Sequence, residues 1–243
     1  MVVTMQKIVG ILGGMGPEST AVLLQKIMRR TPAAVEQDHL RVIVDSNPKI
    51  PNRTDALLFG NLKPVIDALC ETASNLERAG ADVIGMACNT AHAFLTEVRA
   101  SVEVPVVDVI GETARQARQA FGKQTVVGLL ATDGTLRTRL YHEALQSHHL
   151  EGVGPVGPGV QNAVMDTLDT VKLHGVSDES KGAISFAIRD VAAQGATALI
   201  AGCTEVAMVL ERYPPNLPWI DSLTVLADAL VREATMDDPG TIV

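Results

Sequence analysis

Short apolar runs rich in β-branched residues alternate along this chain with longer stretches of helical period. Parallel strands covered by helices on both faces read as continuous apolar runs, so the alternation predicts βαβ units and a parallel sheet. Strands are expected at residues 8–12, 42–44, 83–86, 106–107, 126–130, 199–200 and 219–220. Helices are expected between them at 18–30, 63–79, 90–100, 112–121, 136–145, 179–194, 205–212 and 223–234, with loops taking the remaining glycine and proline.

The pattern also repeats. Val9-Gly10-Ile11-Leu12-Gly13-Gly14-Met15-Gly16 aligns with Val127-Gly128-Leu129-Leu130-Ala131-Thr132-Asp133-Gly134, an offset of 118. Gly80-Ala81-Asp82-Val83-Ile84-Gly85-Met86-Ala87-Cys88 aligns without a gap on Gly195-Ala196-Thr197-Ala198-Leu199-Ile200-Ala201-Gly202-Cys203, an offset of 115. Val104-Pro105-Val106-Val107-Asp108 aligns on Leu217-Pro218-Trp219-Ile220-Asp221, an offset of 113. Order is preserved throughout, which predicts two similar α/β lobes related by pseudo-two-fold symmetry. The expected division is 1–115 and 116–243, with the C-terminal helix free to pack back on the first lobe.

Composition narrows the function. Of 243 residues, 47% are hydrophobic and 20% charged, which excludes a disordered chain, and the 3% aromatic content requires an aliphatic core. Twenty Lys+Arg against 28 Asp+Glu give a net charge of −8, which argues against a phosphate-backbone binder and for a small-molecule ligand. No apolar run approaches the roughly 20 residues needed to cross a bilayer. Three cysteines in a chain of this size point to reduced thiols, and the opening Met-Val-Val-Thr-Met-Gln-Lys lacks a basic region before a long apolar stretch, so a cytosolic location is expected.

Two of the cysteines, Cys88 and Cys203, are related by the repeat, and each follows an apolar strand directly. In open parallel sheets ligands gather beyond the carboxyl ends of the strands, where helix N-termini point at them. Asn89-Thr90 and Thr204-Glu205 follow the two thiols and are suited to start a helix, a setting that lowers a thiol pKa. Lobes facing each other across a cleft would set one thiol on either side of a ligand. Racemisation next to a carboxylate needs that arrangement: a base takes a proton from one face while an acid returns one to the other. The alternative is that both are small buried residues. Cys70 has no counterpart in the second half and is expected in the core.

Five segments resemble the Asp/Glu racemase superfamily, and within it the cofactor-independent aspartate/glutamate racemases: Gly10 to Pro17, Asn47 to Thr54, Cys88 to Phe94, Leu130 to Thr135, and Ala201 to Val206. The resemblance implies that Cys88 and Cys203 are the proton donors and acceptors, that neither pyridoxal phosphate nor a metal takes part, and that the protein is a homodimer of two-lobed subunits with the site between the lobes. Substrate-binding positions carry over to Met15, Asn52, Arg53, Thr54, Asn89, Thr90, Ala91, Thr204 and Lys172. Arg53 and Lys172 would serve the two carboxylates of an acidic substrate. Many relatives place a tyrosine three residues before this lysine, where the chain has Asp169. The glutamate racemases of the cell-wall pathway carry Asp-Ser and Thr-His where this chain has Gly13-Gly14 and Thr204-Glu205, so the resemblance favours aspartate. Glutamate, a broader range of amino acids, or a non-catalytic amino-acid binding protein are the alternatives.

Lesser signals have plainer readings. His92 lies at i+4 from Cys88 and would either tune the thiolate or pack, and Glu205 would either act on Cys203 or cap a helix. The segment Gly152 to Gly157 matches a dinucleotide-binding pattern in letters alone, since Pro155 and Pro158 oppose a helix there. His142, His148 and His149 are expected on the surface rather than on zinc.

Overall fold

The computed structural model describes residues 6–236, so the first five residues of the N-terminal lead-in lie outside it. In chain order the first half runs β1 (Val9–Gly13), α1 (Pro17–Arg30), β2 (Val42–Ser46), α2 (Arg53–Phe59), α3 (Lys63–Arg78), β3 (Val83–Met86), α4 (Leu95–Ala100) and β4 (Val106–Val107). Helix α5 (Val109–Phe121) leads to β5 (Val126–Leu130), α6 (Asp133–Arg137), α7 (Leu140–Ser147), β6 (Glu151–Val153), α8 (Val160–His174), α9 (Asp178–Ala193), β7 (Ala198–Ala201), α10 (Thr204–Arg212), β8 (Trp219–Asp221) and α11 (Ser222–Thr235). Two four-stranded sheets result, ordered β2-β1-β3-β4 and β6-β5-β7-β8. Every pairing is parallel. The protein is therefore two similar α/β lobes, the parallel sheets matching the apolar alternation and the two lobes matching the repeat.

The repeat is visible in its punctuation. Gly80 and Gly195 hold φ of +96° and +95° just before β3 and β7, a conformation glycine adopts without strain. In both, the preceding helix closes the same way: Ala81 N–H donates to Leu76 C=O at 3.0 Å and Ala196 N–H to Val191 C=O at 3.1 Å. Asp108 caps α5 by accepting from the amides of Ile110 and Gly111, and Asp221 caps α11 by accepting from Leu223 and Thr224.

The cores are not confined to their lobes. One apolar cluster takes Val9, Ile11 and Val83 from the first sheet, Val127, Leu129 and Ile200 from the second, and the inward residues of α5 and α11. Helix α11 is buried nearly all round, with Leu223, Leu226, Leu230 and Ala234 among its covered positions. Leu230 reaches into the first lobe so closely that a Cβ on Gly85 would lie 2.6 Å from its Cδ1.

Several elements depart from the sequence expectation. Helix α8 carries buried residues at Val160, Val164, Thr167, Leu168 and Val171, a clear helical period. It escaped notice because a glycine- and proline-rich approach precedes it and threonines break up its apolar face. Helix α2 is only seven residues long, and β6 is a three-residue edge strand. The helix expected over 136–145 is two helices, with Arg139 at φ +57° between them, and the stretch 90–100 opens as a 3₁₀ turn over Thr90–Phe94 before α4. Cys70 is half-buried rather than in the core: α3 turns Val65, Leu69, Thr72, Ala73 and Leu76 inward, and Cys70 lies one step off that face with its thiol 3.5 Å from Glu97 C=O. In the loop 152–157 the amides of Val156 and Gly157 donate to the Asp190 carboxylate at 2.8 and 3.1 Å, so a side chain of the protein itself fills that turn. Among the described residues no helix is long and apolar enough to cross a membrane, and no cluster of three His, Cys, Asp or Glu is placed to hold a metal.

Candidate active site

Strands β3 and β7 occupy equivalent inner positions in their sheets, and the chain leaves both in the same way. Ala87 N–H donates to Leu12 C=O at 3.0 Å and Gly202 N–H to Leu130 C=O at 2.9 Å, after which the backbone steps off the ladder. The next residues are Cys88 and Cys203. Both line one cavity of about 410 Å³, a volume suited to a small polar metabolite. Met15, Asn52, Arg53, Thr54, Asn89, Thr90, Thr204 and Lys172 line it too, so ten of the eleven candidate residues share one site. Ala91 does not: it is fully buried in the outer core of the first lobe with Leu12 and Phe94.

The two thiols sit in different surroundings. Cys203 is the N-cap residue of α10, and its Sγ donates to Glu205 Oε2 at 2.7 Å. Helix position alone predicts a lowered pKa. The opposite holds, because burial first and the adjacent Glu205 carboxylate second push the Cys203 thiol well above its ordinary range. Cys203 therefore rests as a thiol hydrogen-bonded to a buried side-chain carboxyl. Behind Cys88 stands His92, buried on the 3₁₀ turn, with Nδ1 2.9 Å from Cys88 C=O and Nε2 accepting from Val109 N–H at 3.3 Å. These two contacts fit the neutral ring with its proton on Nδ1, Nε2 lying also 3.4 Å from Val107 C=O, and burial lowers the pKa in keeping with a neutral ring. His92 thus holds the backbone of Cys88, and its hydrogen bonds are to main-chain atoms.

Other side chains are committed in ways that residue type alone does not reveal. Arg53 spends Nη1 on Ile50 and Pro51 C=O and Nη2 on Met15 C=O, bracing the loop that forms one wall. Its buried Nε has no partner. Asn52 caps α2 by accepting from Thr54 and Asp55 N–H. Asn89 accepts from Tyr141 Oη at 2.6 Å and donates to Ser222 Oγ at 2.9 Å, and Ser222 in turn donates to Ala201 C=O at 3.0 Å. That chain of bonds runs from the residue after Cys88 to the strand that carries Cys203. Burial raises the Tyr141 pKa, keeping its hydroxyl a donor. A second link between lobes is a triangle of hydroxyls: Thr90, Thr132 and Thr135 lie 2.9 to 3.0 Å from one another. Thr132 also lines the cavity, a position sequence reasoning missed although it stands in the repeat opposite the glycine loop of the first lobe. Lys172 is paired with Asp169 at 3.0 Å. Partial burial lowers the Lys172 pKa, but the Asp169 hydrogen bond and the Glu205 charge outweigh it and the net shift is upward.

Fold and site together define a two-lobed α/β protein that presents a pair of thiols to one amino-acid-sized cavity. The family model of the Asp/Glu/hydantoin racemases matches residues 12–230, and the chain belongs to that family. It is 26% identical over 227 residues to the broad specificity amino-acid racemase RacX of Bacillus subtilis, covering 92% of this chain and 96% of that one. Among solved structures, the aspartate racemase of Picrophilus torridus superposes with a TM-score of 0.80 at 33% identity, covering 94% of each chain. An aspartate racemase homologue from Pyrococcus horikoshii gives 0.73 at 25% identity, covering 96% of this chain and all of that one.

Proposed function

We propose that this protein interconverts L- and D-aspartate without a cofactor, by two-base chemistry at Cys88 and Cys203. One observation carries the reading: two thiols at equivalent strand ends of two similar lobes line the same cavity. In one direction the Cys88 thiolate takes the α-proton and the Cys203 thiol delivers its proton to the opposite face, Cys203 being left as thiolate. In the reverse direction the roles exchange, and the solvent or Glu205 resets the protons. The charge that develops on the α-carboxylate meets the Thr54 and Thr90 hydroxyls and the positive charge of Arg53, all of which line the cavity. His92 and the Tyr141-Asn89-Ser222 chain position the thiols rather than react.

The same reading divides the chain into lobes 1–115 and 116–243 and takes the protein to be a cytosolic homodimer, which sizing in solution would check. The decisive experiment incubates pure protein with L-aspartate in D₂O without added cofactor, beside the Cys88→Ala and Cys203→Ala variants. Deuterium at Cα and D-aspartate should appear in the wild type. Absence of both with every common amino acid would remove the racemase reading.

A further inference from the structure

An α-carboxylate and an α-amino group are common to every amino acid, so what selects among substrates is the group that meets the side chain. Two cations line the cavity among the described residues, Arg53 and Lys172, against three carboxylates, Asp55, Asp169 and Glu205. Arg53 is anchored on three backbone carbonyls beside Met15 and serves whatever anion lies at that wall. Lys172 is then the cation left for a side-chain carboxylate. It is already bound to Asp169 Oδ1 at 3.0 Å, one turn earlier on α8, with Lys172 44% exposed and Asp169 70% exposed. A side-chain carboxylate reaching Lys172 must displace Asp169 or sit beside its like charge. A carboxamide has no such conflict: its oxygen accepts from one of the three ammonium hydrogens while its N–H groups donate to Asp169.

We propose that Asp169 is a specificity-determining residue which, by holding Lys172, removes the advantage of acidic side chains and admits amino acids ending in a neutral hydrogen-bonding group, asparagine and glutamine foremost. The proposal rests on the two-thiol racemase reading and widens its substrate set. Because the pair is partly exposed to water, the discrimination it controls is modest, a matter of several-fold rather than thousands-fold.

The test measures kcat/KM by chiral chromatography for L-aspartate and L-asparagine in the wild type, Asp169→Asn and Lys172→Met, with calorimetric binding of both ligands to the same proteins. The wild type should racemise both within about tenfold of one another. Asp169→Asn should raise the aspartate-to-asparagine ratio on the order of fivefold, through KM, with the gain shrinking as salt is added. Lys172→Met should lower the ratio. A merely structural effect of either substitution would change both substrates alike and leave the ratio where it was. The proposal is overturned by a ratio unmoved within twofold in Asp169→Asn, or by wild-type turnover of asparagine more than a hundredfold below that of aspartate. If racemisation persists in either case, only Asp169 loses its role. If no amino acid is bound or turned over, the racemase reading falls and this inference with it.

Discussion

The two lobes share a backbone and differ in what they place around the thiol. At the repeat offset of 115, Thr90 of the first lobe corresponds to Glu205 of the second and His92 to Ala207. The second lobe sets a buried carboxylate 2.7 Å from its thiol, while the first sets a neutral imidazole against the carbonyl of its cysteine and ties the threonine to hydroxyls across the cleft. Symmetry of fold thus supplies equivalent positions on one cavity, and asymmetry of side chains supplies unlike surroundings for the two thiols.

The largest effect that can break this comparison comes from removing either thiol. Cys88→Ala and Cys203→Ala should each lower racemisation on the order of 10³-fold, by polarimetry or chiral separation. Each should keep residual α-deuterium exchange with retention, in opposite enantiomers, because the surviving thiol faces one side alone. Exchange of the same enantiomer in both variants would deny that the cysteines stand on opposite faces. Next comes Glu205→Gln, with an expected loss in kcat on the order of tenfold to a hundredfold. Followed by thiolate absorbance in a background without the other two cysteines, the Cys203 titration should move to lower pH in this variant, since a charge that disfavours the thiolate is gone. Burial keeps it above the ordinary range.

A smaller effect belongs to His92. Its folded pKa lies below the ordinary 6.5, so the denatured chain binds a proton there that the folded chain refuses. Stability should fall as the pH drops below 6.5, by up to about 1.4 kcal/mol per unit, and the fall should cease once the pH is below the folded pKa. In urea titrations across that range His92→Gln should show a flatter acid limb, at a cost of about 1–3 kcal/mol near neutrality from the lost buried hydrogen bonds. Smallest of all, Cys70→Ala should change stability by less than about 1 kcal/mol and leave turnover alone.

Much of this arrangement was legible in the chain. Continuous apolar runs mark β1, β3, β5 and β7 because a strand covered on both faces tolerates no polar interruption, and the ungapped match ending at Cys88 and Cys203 placed both thiols at equivalent strand ends. What escaped is what depends on partners far away in sequence. Arg53 reads as a substrate cation, yet its terminal nitrogens are claimed by carbonyls at Met15, Ile50 and Pro51. Asn89 reads as a ligand contact, yet Tyr141 and Ser222, 52 and 133 residues away, take both ends of its amide. The effect of Glu205 on Cys203 required knowing that the carboxylate is buried and 2.7 Å from the thiol, since an exposed carboxylate two residues away would be screened.

The placement of α11 bears on how the chain reaches this state during synthesis. The first lobe's sheet is complete once Val107 has emerged, but the helix that covers Gly85 with Leu230 is made more than a hundred residues later. Until then an apolar face around Val83 and Gly85 stays open on the nascent chain. Synthesis must run through α11 before the first lobe's strands are sealed, so maturation of the cleft is timed by that helix.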